Sequence, residues 1–286
     1  MVRGYNIPII ILAQYLSAIF ILAPEKEPLA ILLDLNLFII VLASSLTIAS
    51  GYIINNFYDS KKDLINRPNK SMLDRLVSQK TKLNVYFTLN FIVAFLAIFV
   101  SWRACLFFSV YIFLIWYYSH RIKKYPIIGN ITAALLAVLP FFAILLYYKN
   151  LYQVIIGHAS FLFLLLLIRE MIKDLENIKG DLATDYQTIP ILYGENASKN
   201  IITVLVILTI LPVYILIEIF DVGYMDSYFY FCLILLIFFS LSLWKAVSKK
   251  QFIVLHNLLK FLIVAGVFSI ILIKPSVLWN GIKLLF

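Results

Sequence analysis

The stretch LDLNLFIIVLASSLTIASGYII, residues 33–54, has only Asp34 and Asn36 as charged or amide side chains. A helix rises about 1.5 Å per residue, so roughly 20 such residues cross the hydrocarbon core of a bilayer, which is about 30 Å thick. The polar sequence NNFYDSKKD, residues 55–63, follows at once. The stretch therefore predicts a membrane-spanning helix that ends in amide and carboxylate side chains.

The rest of the chain is equally apolar. Of its 286 residues, 63% are hydrophobic and 14% are charged, and the mean hydropathy is +0.96. Soluble domains are about 45–50% apolar and about 25% charged, so this chain has too little polar surface for a water-soluble globule. Soluble enzymes, nucleic-acid-binding proteins and disordered chains are therefore excluded. The two cysteines lie in apolar runs and indicate neither a disulfide framework nor a zinc site.

Nine apolar runs are long enough to be membrane spans, which predicts an all-α polytopic membrane protein. They lie at 5–23, 33–54, 83–102, 104–118, 131–148, 152–168, 200–220, 227–244 and 252–273. With alternating connections, 18 of the 24 Lys and Arg residues fall on one side and five on the other, with Lys260 inside the last span. The positive-inside rule then predicts a cytoplasmic N-terminus and an external C-terminus. The expected location is a plasma or inner membrane.

Two connections on the cytoplasmic side, 57–82 and 169–199, are long and hold nine of the 15 acidic residues. In the first, Asn55, Asp59 and Asp63 are spaced i, i+4 and i+8, which places them on one face of a helix. Like charges at this spacing repel each other, and a divalent cation removes the repulsion. Oxygen ligands without Cys or His favour Mg²⁺, which shares its coordination with substrate phosphates.

The second connection begins with REMIKDLENIKGD, residues 169–181, where Asp174, Asn177 and Asp181 are spaced i, i+3 and i+7. This stripe also lies at the cytoplasmic end of a span and could face the first stripe across a cavity. Nearby cations would neutralise an anion such as a diphosphate: Lys62, Arg67, Lys70, Lys173 and Lys179. The alternative interpretation is that these charges are solvated helix caps and topology signals.

At these residues the chain resembles the UbiA-type intramembrane prenyltransferase superfamily, over nearly its whole length. The segments that carry the resemblance are Asn55 to Pro68, Lys173 to Asp181 with Thr188-Ile189-Pro190, Arg3 with Asn6, and Tyr118-Ser119 with Lys123 and Gly129-Asn130. The chain departs from the family pattern at Asn56 and Asn177, where Asp is usual, and at Lys179, where Glu is usual. Each departure makes the site less negative and leaves the number of bound Mg²⁺ ions open.

The resemblance implies a single domain over residues 1–286, with nine helices around a central cavity. It also implies Mg²⁺-dependent transfer of a polyprenyl group from its diphosphate to a small acceptor. The implied catalytic residues are Asn55, Asp59, Asp63, Asp174 and Asp181. The implied metal ligands are Asp59, Asp63, Asp174, Asn177 and Asp181, and the implied substrate-binding residues are Arg3, Asn6, Arg67, Tyr118, Lys123, Asn130 and Lys173.

The motif spacing is most similar to the branch of the family that prenylates geranylgeranylglycerol phosphate. His256, Lys260 and Gly266 in the last span are compatible with that branch. Prenylation of an aromatic quinone precursor uses the same metal chemistry and is the alternative. A membrane transporter is a second alternative, although the carboxylates cluster at one face and not at the midplane. His158, His256 and Lys260 are ionisable residues inside spans and hence further candidates for functional residues. The alternative is that the two histidines form hydrogen bonds with neighbouring backbone groups. The lipid bilayer is the expected environment, and no protein partner is indicated.

Overall fold

The structure is a computed structural model that describes residues 6–277, apart from the side chain of Lys70. Within that range every element of regular secondary structure is a helix. The α-helices are α1 Asn6–Ser17, α2 Pro28–Leu32, α3 Leu35–Tyr58, α4 Ser60–Asn66, α5 Pro68–Asp74, α6 Gln79–Val100, α7 Trp102–His120, α8 Ile128–Tyr148, α9 Gln153–Leu182, α10 Ile189–Leu208, α11 Ile210–Glu218, α12 Asp226–Lys245 and α13 Lys249–Ser269. The all-α prediction is confirmed for this part of the chain.

Eight helical segments among the described residues are long and apolar enough to cross a membrane. The ninth predicted run, 5–23, is a shorter apolar helix over Asn6–Leu22. It runs antiparallel to α3, because Asn6 contacts Tyr52 near the end of α3 while the Leu22 carbonyl accepts a hydrogen bond from Asn150 at the opposite end of the bundle. The count of nine crossings and the cytoplasmic N-terminus stay predictions.

The two long polar connections are mostly helical, in agreement with the helical spacing of the motifs that they carry. α9 continues to Leu182, 14 residues beyond the predicted end of its apolar run at 168. Residues 169–182 are mostly good helix formers, and Met171, Ile172 and Leu175 are buried along the helix. At about 1.5 Å per residue, the 30 residues of α9 measure roughly 45 Å. The connection at 57–82 contains α4 and α5.

The centre of the bundle is α9, which packs against α4, α8, α10, α11 and α13. Hydrogen bonds to charged side chains are made at the end of α3, at the start of α8 and on α13. These parts of the three helices therefore lie at one face of the protein. The other half of the interior holds an apolar chamber between α1, α8, α9, α12 and α13, lined by residues that include Phe161, Leu165, Tyr228 and Ile263. Polar and apolar halves therefore meet along α9.

Candidate active site

The carboxylate of Asp59 lies at the junction of α3 and α4 and is buried. Its Oδ1 accepts hydrogen bonds from Lys123 Nζ at 2.7 Å and from the Tyr186 hydroxyl at 2.8 Å. Lys123 Nζ also donates to Asn55 Oδ1 at 3.1 Å. The structure thus joins two residues of the first motif to Lys123, which the sequence resemblance had assigned to substrate binding.

Charge keeps Asp59 ionised despite its burial. Burial raises the pKa of the Asp59 carboxyl, but Lys123 and Lys62 outweigh this effect and lower the pKa to about 2. Burial and the neighbouring Asp59 charge raise the pKa of Tyr186, so its hydroxyl stays protonated and donates to Asp59. At neutral pH the group is therefore a carboxylate, the form that binds a cation.

Asp181, the second-to-last residue of α9, is fully buried. Lys62 Nζ lies 2.5 Å from its Oδ1, yet neither carboxylate oxygen accepts an aligned hydrogen bond. Lys62 also lies over the Tyr186 ring, 4.0 Å from its centroid. An anion near the C-terminal end of a helix is unfavourable, and most buried polar atoms have partners. The arrangement therefore fits a further cation that binds the Asp181 oxygens.

The remaining carboxylates of the second motif face α7 and α8. Asp174 Oδ2 accepts a hydrogen bond from Asn130 Nδ2 at 2.7 Å, in the first turn of α8. Glu170, one turn before Asp174, accepts a hydrogen bond from Lys173 Nζ at 2.6 Å. The phenol of Tyr118 interacts electrostatically with four carboxylates, those of Glu170, Asp174, Asp59 and Asp181. Tyr118 thus lies where both motifs meet.

A neighbouring face of α9 holds a second charged cluster. Arg67 Nη2 donates to Glu176 Oε1 at 2.7 Å, and His256 Nδ1 lies 3.0 Å from Glu176 Oε2. The partner of His256 is thus a carboxylate and not neighbouring backbone, which was the alternative interpretation of both histidines. That interpretation is confirmed for His158, whose Nδ1 lies 2.9 Å from the Val154 carbonyl oxygen.

Close packing of α4 on α9 fixes the distance between the two motifs. Asn66 Oδ1 accepts a hydrogen bond from the Gly180 amide at 3.1 Å, and Asn66 Nδ2 donates to the Asn177 carbonyl at 3.3 Å. The side-chain amide of Asn177 donates a hydrogen bond from Nδ2 to the Lys173 carbonyl at 2.7 Å. A glycine at 180 lets the Asn66 amide reach the α9 backbone, which holds the first motif beside the second.

Most of the predicted site residues thus gather at one end of the bundle. Asn6 is bonded at 2.9 Å to Tyr52, two turns before Asp59 on α3, Asn56 is bonded to Asp74, and Arg3 lies outside the described residues. Among residues 6–277, no three His, Cys, Asp or Glu side chains are already gathered as a set of metal ligands. The carboxylates of Asp59 and Asp181 are instead each paired with a lysine, Lys123 and Lys62 respectively.

Tyr186, Glu176 and Asn66 belong to the site but are not among the site residues predicted from the sequence. Tyr186 is placed by a turn in which its amide bonds to the Asp181 carbonyl and the Gln187 amide bonds to the Lys124 carbonyl. Its position five residues after Asp181 was the one available signal. Asn66 and Glu176 gave none, since their roles depend on which helices pack together.

Comparison with known proteins matches the chain to one family and one fold. The sequence model of the UbiA prenyltransferase family matches residues 11–277. Digeranylgeranylglyceryl phosphate synthase of Methanobrevibacter smithii is 29% identical over 78% of this chain and 79% of that protein. The protein of the same name from Methanosphaera stadtmanae is 30% identical over 74% of this chain and 77% of that protein.

A solved structure with the same fold is a UbiA homolog from Archaeoglobus fulgidus bound to GPP and Mg²⁺. The superposition has a TM-score of 0.69 and covers 94% of this chain and 97% of that one, with 16% sequence identity. The agreement therefore extends over almost the complete helical bundle.

Proposed function

Because the chain belongs to the UbiA prenyltransferase family, we propose that it transfers a geranylgeranyl group from its diphosphate to geranylgeranylglyceryl phosphate, forming an ether lipid. The observation that carries this choice of substrates is the similarity to two relatives named digeranylgeranylglyceryl phosphate synthase. Membership of a prenyltransferase family argues against the transporter alternative, and no residue of the site specifically favours an aromatic acceptor.

Mg²⁺ is the proposed cofactor, held by oxygens from the two motifs. The proposed ligands are Asp59, Asp63, Asp174, Asn177 and Asp181. The buried Asp181 oxygens without aligned hydrogen bonds support this assignment, as does the absence of sulfur and imidazole from the ligand set. When bound, Mg²⁺ supplies Lewis-acid stabilisation of the leaving diphosphate.

The diphosphate would be bound by the cations that border the carboxylates, namely Lys62, Lys123, Lys173 and Arg67. Each of these side chains is already bound to a carboxylate, and an anionic substrate can replace that partner. Asn55 and Asn130 supply amide groups on either side, and Tyr118 supplies a phenol between the motifs. Cations aimed at the leaving oxygens stabilise the charge that develops there as the C–O bond breaks.

The geranylgeranyl chain would occupy the apolar chamber next to the charged cluster. Phe161 and Leu165 line that chamber on α9, and Asp174 follows about 13 Å further along the same helix by the helical rise. Water-poor surroundings protect an allylic cation from hydrolysis. The distribution of Lys and Arg supports a plasma or inner membrane location with the charged cluster opening to the cytoplasm.

The proposal is tested with purified protein in detergent, Mg²⁺ and geranylgeranyl diphosphate. Geranylgeranylglyceryl phosphate, 4-hydroxybenzoate and dihydroxynaphthoate are offered in parallel, and prenylated products are identified by mass spectrometry. Ether-lipid product that disappears on chelation and returns with Mg²⁺ is the expected result. Product with an aromatic acceptor alone would replace the proposed acceptor, and the absence of every product would refute the assigned reaction.

A further inference from the structure

His256 on α13 is held by a carboxylate on one ring nitrogen and has no hydrogen-bond partner on the other. The residue is 3% exposed, its Nδ1 lies 3.0 Å from Glu176 Oε2, and its buried Nε2 makes no hydrogen bond. In the neutral ring, a carboxylate at Nδ1 fixes the proton there and leaves Nε2 with a lone pair. Glu176 is itself fixed, since its other oxygen accepts from Arg67.

The His256 ring lies close to charged residues of the site where the two motifs meet. Arg169 and Lys260 act electrostatically on the His256 ring, and the ring acts on the Glu170 carboxylate. Glu170 in turn interacts with Tyr118, which faces the carboxylates of both motifs. His256 therefore lies on the α13 side of the same charged region and not in a separate part of the bundle.

The charges around His256 suit an anionic ligand. Cations outnumber carboxylates in this cluster, which comprises Arg67, Arg169, Lys173 and Lys260 against Glu170 and Glu176. The buried Nε of Arg169 also makes no hydrogen bond. An alcohol that carries a phosphate would satisfy both features, with its phosphate on the cations and its hydroxyl on the imidazole.

We propose that His256 is the general base for the acceptor and that Arg169 and Lys260 bind the acceptor's phosphate. This inference rests on the proposed function. In the step, the bond between prenyl C1 and the diphosphate oxygen breaks and its electron pair leaves with the diphosphate. The acceptor oxygen forms the new bond to C1, and its proton passes to Nε2 of His256, from which it is returned to water or to the diphosphate.

The competing interpretation is that His256 only ties α13 to α9 through Glu176. A thiol analogue of the acceptor separates the two roles, because a thiol has a pKa near 8.5 and ionises without a strong base. We therefore propose to measure kcat of His256→Gln with geranylgeranylglyceryl phosphate and with the same acceptor bearing a thiol in place of its hydroxyl. Loss of a general base reduces turnover by about 10²–10⁴-fold, so the alcohol reaction should fall by that factor. The thiol reaction should stay close to the wild-type rate.

His120→Gln is the control. His120 is an exposed histidine in the last turn of α7, and its ring stacks on Trp116. It has no part in the proposed site, so this variant should turn over both acceptors normally.

A second variant covers the case in which His256→Gln does not fold well. His256→Gly should lose the alcohol reaction and regain part of it when imidazole is added, and Arg169→Gln should raise KM for the acceptor without raising KM for the prenyl diphosphate. Equal loss of alcohol and thiol reactions without imidazole rescue would overturn the proposal, as would a His256→Gln enzyme with wild-type turnover. If wild-type protein makes no ether product at all, the proposed function fails first.

Discussion

Asn66 on α4 and Gly180 on α9 lie so close that a β-carbon added to residue 180 would be 2.2 Å from Asn66 Nδ2. Asn66 cannot simply turn away, because its amide bonds to the Gly180 and Asn177 backbone. This contact therefore sets how closely the helix of the first motif packs against the helix of the second.

Gly180→Ala should destabilise the protein by about 1–3 kcal/mol and reduce prenyl transfer, because it overpacks the contact and breaks buried hydrogen bonds. The free energy of unfolding and the turnover number are the measurements. Asn66→Ala removes the atoms that clash, so the double variant should lose less stability than the sum of the two single variants. Additive losses would show that the two residues do not compete for this space.

Asp181→Asn should reduce turnover by at least about a hundredfold while leaving the protein folded, because it removes one proposed ligand charge worth several kcal/mol in the transition state. Asp185→Asn is the matched control. Asp185 is exposed and has a φ of 56°, a conformation that asparagine also tolerates, so this change should leave turnover unaltered. Normal turnover of Asp181→Asn would remove Asp181 from the metal site.

Mg²⁺ should stabilise the wild-type protein and stabilise Asp181→Asn much less. A ligand that binds only the folded state raises stability by about 2.7 kcal/mol at a hundred times its Kd. Thermal unfolding in detergent, with Mg²⁺ titrated into chelator-treated protein without substrate, is the measurement. An equal shift in both proteins would locate the stabilising ion elsewhere.

Acid should destabilise the Mg²⁺-free protein partly through Asp59. Burial raises the pKa of Asp59, and Lys123 and Lys62 lower it to about 2, whereas an unfolded aspartate titrates near 3.9. The folded state thus favours the ionised form, so this stabilisation is present above about pH 4 and is lost as the pH falls through about 2. Denaturant unfolding at pH 5 and pH 2.5 should show a steeper loss for wild type than for Asp59→Asn. Parallel losses in the two proteins would contradict the ion pair.

The sequence was informative wherever one helix decides the outcome. The spacing of Asp174, Asn177 and Asp181 could be interpreted without knowing the fold, because residues three and four apart share a helical face. The apolar run at 152–168 predicts a membrane span but not where the helix ends, and α9 continues to Leu182 because the polar residues after 168 also form helix. The pairing of Glu176 with His256 could not be predicted, because it depends on which face of α13 packs on α9.

The 45 Å length of α9 determines where a substrate bound along it lies relative to the membrane. The hydrocarbon core of a bilayer is about 30 Å thick, so roughly a third of this helix extends beyond it. A prenyl diphosphate resting in a leaflet already has its tail among lipid chains and its anionic head at the water boundary. One continuous helix carries Leu165, which lines the apolar chamber, and then Asp174 in the charged cluster, in the same order as the tail and the head of the substrate. An amphiphile with its tail in the apolar chamber and its head at the charged cluster would therefore lie at the same depth and in the same orientation in the protein as in the leaflet.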